Sequence, residues 1–324
     1  MAPPSPEHKE AFSDFLSAYG KSRLVVTSHR KTDVDGLASA YAMHRILPGS
    51  IIATDELDEN AKALVERLNI EVRPIRELDR KDYAGLVVVD TAAYTLLEPA
   101  KEWKILLVID HHHPQGRDME SDVFIVDDKS PSTAEIIAGL LPGMDSETAF
   151  ALACAVISDT ARFKSGRVET FETLARLMRI CGATYHELLE IAEPEARPDV
   201  KMAILKACQR VNVVYSGGLV IATSEVSSNE SDAAQVLSEA ADVAFVASWK
   251  DRERETRISA RARKSVSIEL NEVMKDVGIS LGGNGGGHPK AAGATVKVHT
   301  KEALDRCLEA LMARLENPGC ASEQ

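Results

Sequence analysis

Near-continuous apolar runs alternate with amphipathic stretches through the first half of the chain. RLVVTS (23–28), SIIAT (50–54), LVVVD (86–90), ILLVID (105–110) and VFIVDD (123–128) hold polar residues mainly at their ends. That is the pattern of strands covered on both faces. Segments such as DENAKALVERL (58–68) place apolar residues at helical spacing between them. The alternation predicts an α/β fold, an N-terminal doubly wound, mainly parallel sheet. Beyond residue 200 the pattern changes. GGLVIATSEV (217–226), DVAFVASW (242–249) and TRISARAR (256–263) read as strands, with helical patterns around 201–212, 232–241 and 301–315. This predicts a smaller C-terminal α+β domain. AEPEARPDV (192–200), with two prolines among its acids, reads as a linker. The expected division is therefore 1–191, a linker over 192–200, and 201–324, with the active site in the interdomain cleft.

Composition supports this division and removes some functions. A chain of 324 residues, 44% hydrophobic, can bury two cores. Its 38 Lys and Arg against 50 Asp and Glu give a net charge of −12, which argues against coating long duplex DNA. A short oligonucleotide on a local basic patch remains compatible. No apolar run approaches the roughly 20 residues that cross a bilayer, and MAPPSPEHKE lacks a signal-peptide core. The expectation is a cytoplasmic protein with no membrane partner. The five cysteines are scattered and form no C-x-x-C pair, so neither a disulfide framework nor a zinc knuckle is indicated.

The candidate chemistry sits where the apolar runs stop. His29, Asp33 and Asp35 follow the first run in HRKTDVDGLASAYAMHRI, Asp90 ends the third, and Asp110-His111-His112-His113 ends the fourth. Asp159 closes a helical pattern over AFALACAVISD. One aspartate at a helix mouth is an ordinary cap. Two carboxylates and an imidazole in one short segment exceed that need. Ligands of doubly wound sheets bind at the carboxyl ends of the strands, so residues distant in sequence can meet there. Aspartates with imidazoles suit divalent ions such as Mn²⁺ or Mg²⁺. Two such ions activate water and clamp phosphoryl oxygens.

HRKTDVDG, VVVDTA, VIDHHHP and VISDT resemble, in order and approximate spacing, the four motifs of the DHH phosphoesterase superfamily. The resemblance implies that His29 and Asp33 bind one metal, Asp35, His111 and Asp159 a second, and that Asp90 bridges both. It places His112 at the phosphate and has Asp110 orient a ligand histidine. Lys31-Thr32 stands where the family commonly has Asn-Pro, and His113 extends the third motif. KSPSTAEIIAGLL (129–141) is similar to the family's Ser/Thr-rich helix start, with Ser132 or Thr133 expected as a plain N-cap.

In TRISARAR, alternation puts Arg257, Ser259, Arg261 and Arg263 on one face, either a basic edge strand or a phosphate clamp. GGNGGGHPKAAG (282–293) reads as a loop too glycine-rich for a strand interior, able to bring backbone N–H groups to a ligand. It is closely similar to the glycine signature of the DHH-associated C-terminal domain. That resemblance implies substrate binding by Arg261, Gly285, Gly286, Gly287 and His288. The expected function is a metal-dependent phosphodiesterase hydrolysing short RNA or DNA oligonucleotides or linear dinucleotides to mononucleotides. Its cofactors would be two divalent ions, Mn²⁺ first and Mg²⁺ or Co²⁺ next, and the resemblance is compatible with a homodimer. The alternatives are a phosphatase or phosphodiesterase for 3′-phosphoadenosine 5′-phosphate or cyclic dinucleotides, and a catalytically silent nucleic-acid-binding scaffold.

Overall fold

The computed structural model describes residues 4–113, 116–193 and 195–316. The chain divides into two units, Met1–Glu195 and Ala196–Gln324. In the first, chain order is α1 (Pro6–Tyr19), β1 (Leu24–Thr27), β2 (Lys31–Thr32), α2 (Val34–Ile46), β3 (Ile51–Ala53), β4 (Glu56–Leu57), α3 (Glu59–Leu68) and β5 (Val72–Arg73). There follow β6 (Gly85–Val89), β7 (Ile105–Asp110), β8 (Val123–Val126), α4 (Thr133–Leu140), α5 (Ser146–Asp159), α6 (Val168–Cys181) and α7 (Tyr185–Ala192).

The main sheet of this unit has the order β5-β3-β1-β6-β7-β8, and its pairs are parallel. Beginning at β1, the chain builds outward through β3 and β5, then crosses back to β6 and builds the other way. β1 and β6 therefore flank the topological switch point, where the crevice of a doubly wound sheet opens. The apolar runs are long because both faces are covered. Helices α1 to α7 bury Val26, Val87, Val89 and Ile109 on one side. On the other, Val25, Val88 and Val108 pack beneath residues of short 3₁₀ turns, Ile75 and Ala100 among them. Among the described residues, the second face thus carries turns and no α-helix.

The second unit comprises α8 (Pro198–Gln209), β9 (Asn212–Ser216), β10 (Leu219–Val226), α9 (Glu230–Ala240), β11 (Val243–Lys250), β12 (Glu255–Ala262), α10 (Leu270–Ser280), β13 (Asn284–His288), β14 (Ala291–Val296) and α11 (Thr300–Glu316). Its sheet runs β13-β14-β12-β11-β10-β9. It is mixed, with β10 and β11 parallel and the other pairs antiparallel. Residues of α10 and α11 fill one face and those of α8 and α9 the other.

Three expectations change. The linker contracts, because Ala192 is buried at the end of α7 and Pro198 opens α8, a position where its missing N–H costs nothing. The helical pattern expected to reach 212 ends at Gln209, and Asn212 begins a strand. Most consequential, the glycine run is a strand. β13 is an edge strand paired with β14, and it packs directly on α10. A Cβ on Gly285 would lie 1.8 Å from the Met274 carbonyl oxygen, and one on Gly278 would lie 2.4 Å from the Asn284 carbonyl carbon. Glycine is present because helix and strand backbones touch.

Candidate metal centre

The site is built from the carboxyl ends of β1, β6 and β7 and from two helices. Gly36 lets the first turn of α2 close on β1, since a Cβ there would fall 2.3 Å from Ser28 Oγ. Asp33 is the N-cap of α2, its Oδ1 accepting the Gly36 N–H at 3.0 Å. Asp35 lies buried in the first turn. Asp90 follows β6 with a left-handed φ of 62°, an unusual conformation for a residue with a side chain. His111 follows β7, and Asp159 is the last residue of α5.

These residues converge. His29 Nε2 lies 3.7 Å from Asp33 Oδ1 and 3.3 Å from Asp90 Oδ2. His111 Nε2 lies 3.5 Å from Asp90 Oδ1, 3.2 Å from Asp159 Oδ2 and 4.0 Å from Asp35 Oδ2. Three sets, His29–Asp33–Asp90, Asp35–His111–Asp159 and Asp90–His111–His112, each offer donor atoms within 4.8 Å of one another. His113 is exposed and belongs to none of the sets found among the described residues.

Electrostatics gives the test of fit. Burial, then the charges of Asp90 and Asp33, push the Asp159 carboxyl up to about 7. Burial with Asp90, Asp159 and Asp33 raises Asp35 well above the carboxylate range. Burial alone would lower His29, but its hydrogen bonds to Asp33 and Asp90 prevail and carry it up to about 10. His29 offsets only part of this crowding, and an oxygen-rich donor set with imidazoles is what hard to borderline divalent cations take. The residues fit two such ions.

Asp110 orients His112 rather than His111. Its Oδ1 meets His112 Nδ1 at 2.8 Å and accepts the His112 N–H at 3.2 Å, whereas the ring of His111 is fixed by the Ser130 carbonyl oxygen, 3.2 Å from Nδ1. A carboxylate only accepts, so Nδ1 of His112 carries the proton and Nε2 remains for a ligand. The pairing raises His112 above the usual imidazole range. The start of α4 also does more than cap. Ser132 is the N-cap, while the Thr133 hydroxyl donates to Asp90 Oδ1 at 3.0 Å. The Ser/Thr-rich spelling was the available signal, but it did not distinguish the two residues.

The residues expected to bind substrate lie in the second unit. β12 is interior, between β11 and β14, so its arginines do not protect an edge. Register places Arg257, Thr295 and Asn284 side by side, then Ser259, Gly293 and Gly286, then Arg261, Ala291 and His288. Paired residues share a face, so Arg257, Arg261 and His288 border a strip bared by Gly286 and Gly293. An open recess of about 370 Å³ lies at its Arg257 end. Arg261 Nη2 donates to Ser231 Oγ at 2.8 Å. Gly285 does not belong to this strip, for its missing side chain points at α10.

A doubly wound α/β unit with clustered carboxylates and histidines at its switch point, joined to a mixed-sheet unit, defines a two-domain α/β protein with a candidate metal centre. The chain belongs to the DHH phosphoesterase superfamily: residues 23–159 match the DHH family N-terminal domain and residues 216–317 the DHHA1 domain. An uncharacterized protein of Methanocaldococcus jannaschii is 28% identical over 92% of this chain and 94% of its own length. The bifunctional oligoribonuclease and PAP phosphatase NrnA of Thermus thermophilus is 24% identical over 73% of this chain and 72% of its own. The crystal structure of an exopolyphosphatase-related protein from Bacteroides fragilis shares the fold, with a TM-score of 0.75 and 15% identity over 96% of this chain and 97% of that one. No helix among the described residues is long and apolar enough to cross a membrane.

Proposed function

We propose that this chain is a metal-dependent phosphodiesterase that hydrolyses short oligonucleotides or linear dinucleotides to mononucleotides. The observation that carries the reading is the pair of donor sets, His29–Asp33–Asp90 and Asp35–His111–Asp159, with Asp90 also 3.5 Å from His111. His29 and Asp33 would hold one ion, Asp35, His111 and Asp159 the other, and Asp90 would bridge; a set dominated by carboxylates but containing two imidazoles suits Mn²⁺ better than Mg²⁺. Two bound divalent ions supply activated water and neutralise charge on the phosphoryl oxygens. His112 is exposed over half its side chain and has its Nδ1 committed to Asp110, so its outer nitrogen is free for a phosphate oxygen. Asp110 orients that ring. Arg261, His288 and the backbone at Gly286 and Gly287 would hold the part of the substrate remote from the scissile bond. Arginine's planar fork matches phosphate. The NrnA relative, named for oligoribonuclease and PAP phosphatase activities, supports a nucleotide substrate and keeps 3′-phosphoadenosine 5′-phosphate as a second reading.

The deciding experiment incubates the protein and Mn²⁺ with 5′-labelled RNA and DNA oligomers from dinucleotides upward, alongside 3′-phosphoadenosine 5′-phosphate. Short oligomers should be consumed to mononucleotides faster than long ones. Release of phosphate from the monoester alone would replace this reading with the second.

A further inference from the structure

We infer that Ser130–Ala134 is the positioning element of the metal centre and that Thr133 is the residue through which it acts. The inference rests on the metal reading above. Three of the six proposed ligands are held by these five residues. The Ser130 carbonyl oxygen fixes His111 at 3.2 Å. The Thr133 N–H donates to Asp35 Oδ2 at 2.7 Å and the Ala134 N–H to Asp35 Oδ1 at 2.9 Å. The Thr133 hydroxyl donates to Asp90 Oδ1 at 3.0 Å. Ser132, Thr133, Asp35 and Asp90 are each no more than 2% exposed.

The local chemistry explains the division of labour. Ser132 Oγ accepts the Glu135 N–H at 3.2 Å and so performs the cap. The Thr133 and Ala134 N–H groups, orphans at any helix start, are thereby left for Asp35. Each Asp35 oxygen takes one N–H and keeps a lone pair for a cation. The Thr133 hydroxyl fixes the rotation of the Asp90 carboxylate, on a residue whose backbone is already left-handed. The element is itself anchored. Glu135, 7% exposed, accepts from Arg167 Nη2 at 3.0 Å and Thr170 Oγ1 at 2.9 Å, tying the first turn of α4 to the start of α6. Glu135 belongs to none of the donor sets found among the described residues, and the Thr133 hydroxyl is committed to Asp90. They act through Asp35 and Asp90.

The test compares Thr133→Val, which keeps the shape and removes the hydroxyl, with Thr133→Ser, which restores it, and with Glu135→Gln, which weakens the anchor. Each full-length variant is titrated with Mn²⁺ by calorimetry, its Mn²⁺ electron spin resonance spectrum is recorded, and kcat and KM are measured on bis-p-nitrophenyl phosphate. Thr133→Val should weaken Mn²⁺ binding about 10- to 100-fold, as loss of an outer partner does, alter the coupled-pair spectrum, and lower kcat at saturating metal with KM unchanged. Thr133→Ser should restore all three to within about threefold, and Glu135→Gln should fall between. Wild-type Mn²⁺ affinity and spectrum in Thr133→Val would overturn the role of Thr133 while leaving the metal centre standing. Failure of the unmodified chain to bind Mn²⁺ would overturn the metal centre, and this role with it.

Discussion

Replacing Asp159 by Asn in the metal-free protein should stabilise the fold. Asp159 is the cleanest of the crowded carboxylates to alter, because its side chain meets His111 whereas Asp35 accepts two backbone N–H groups that an asparagine could not both satisfy. In the folded chain Asp159 keeps its proton up to about pH 7, whereas the ordinary carboxyl releases it near 3.8. Between those values the folded state binds more protons than the unfolded one, so stability falls as pH rises through the window. The full gap corresponds to about 4 kcal/mol above pH 7. Asp35 and Asp90 share the repulsion, so one substitution should recover about 1–3 kcal/mol of it. Urea denaturation in excess chelator measures this. The advantage of Asp159→Asn should be smallest near pH 4 and largest at pH 8. Adding Mn²⁺ should invert the order, since a ligand at 100 times its Kd contributes about 2.7 kcal/mol to the form that binds it. Equal midpoints at pH 8, or a difference that ignores pH, would refute the clustering of charges.

Chelation should abolish hydrolysis and Mn²⁺ should restore it best, with Asp90→Ala more damaging than loss of any ligand of a single ion; full activity in excess chelator would remove the metal centre. Gly285→Ala should destabilise the protein by about 3 kcal/mol, the upper range for overpacking, whereas Gly286→Ala, with nothing within 4 Å of its Cβ, should leave the melting temperature nearly unchanged. Equal effects would mean that α10 and β13 are not in backbone contact. Arg261→Ala should weaken binding of di- to pentanucleotides by about 1.5–3 kcal/mol, seen in KM, and spare bis-p-nitrophenyl phosphate. A parallel loss on both substrates would assign Arg261 to the catalytic centre or to the fold.

What could be read from sequence followed from how each feature is encoded. The parallel sheet announces itself because strands covered on both faces must be apolar throughout, and Val87, Val88 and Val89 are all buried. Asp90 and His111 stood out because they stop those runs at the sheet edge where ligands bind, His29, Asp33 and Asp35 because they crowd one helix mouth, and Asp159 because it closes an apolar helix. Backbone donors carry no such mark: nothing in Thr133 or Ala134 as residue types reveals that their N–H groups hold Asp35. Nor did the spelling separate Asp110 from its neighbours, since whether it serves His111 or His112 is decided by the Ser130 carbonyl. β13 was misread because glycine has neither alternation nor strand preference. Its conformation is imposed by pairing with β14 and by α10 beneath it.

The contact between α10 and β13 changes what the string GGNGGGH certifies. Gly278 and Gly285 are required where α10 and β13 press backbone on backbone, and Gly283 where a Cβ would fall 1.9 Å from the Thr295 carbonyl oxygen of β14, and that requirement holds whether or not any phosphate is ever cut. A chain descended from this fold that had lost its catalytic ligands would still be compelled to keep those three glycines. Gly286 and His288, turned to the bare strip, would be released to drift. The glycines of one face are thus a record of architecture, whereas Gly286 on the other would record only the proposed substrate contact. A search that weights them alike would mistake a retained scaffold for a retained enzyme.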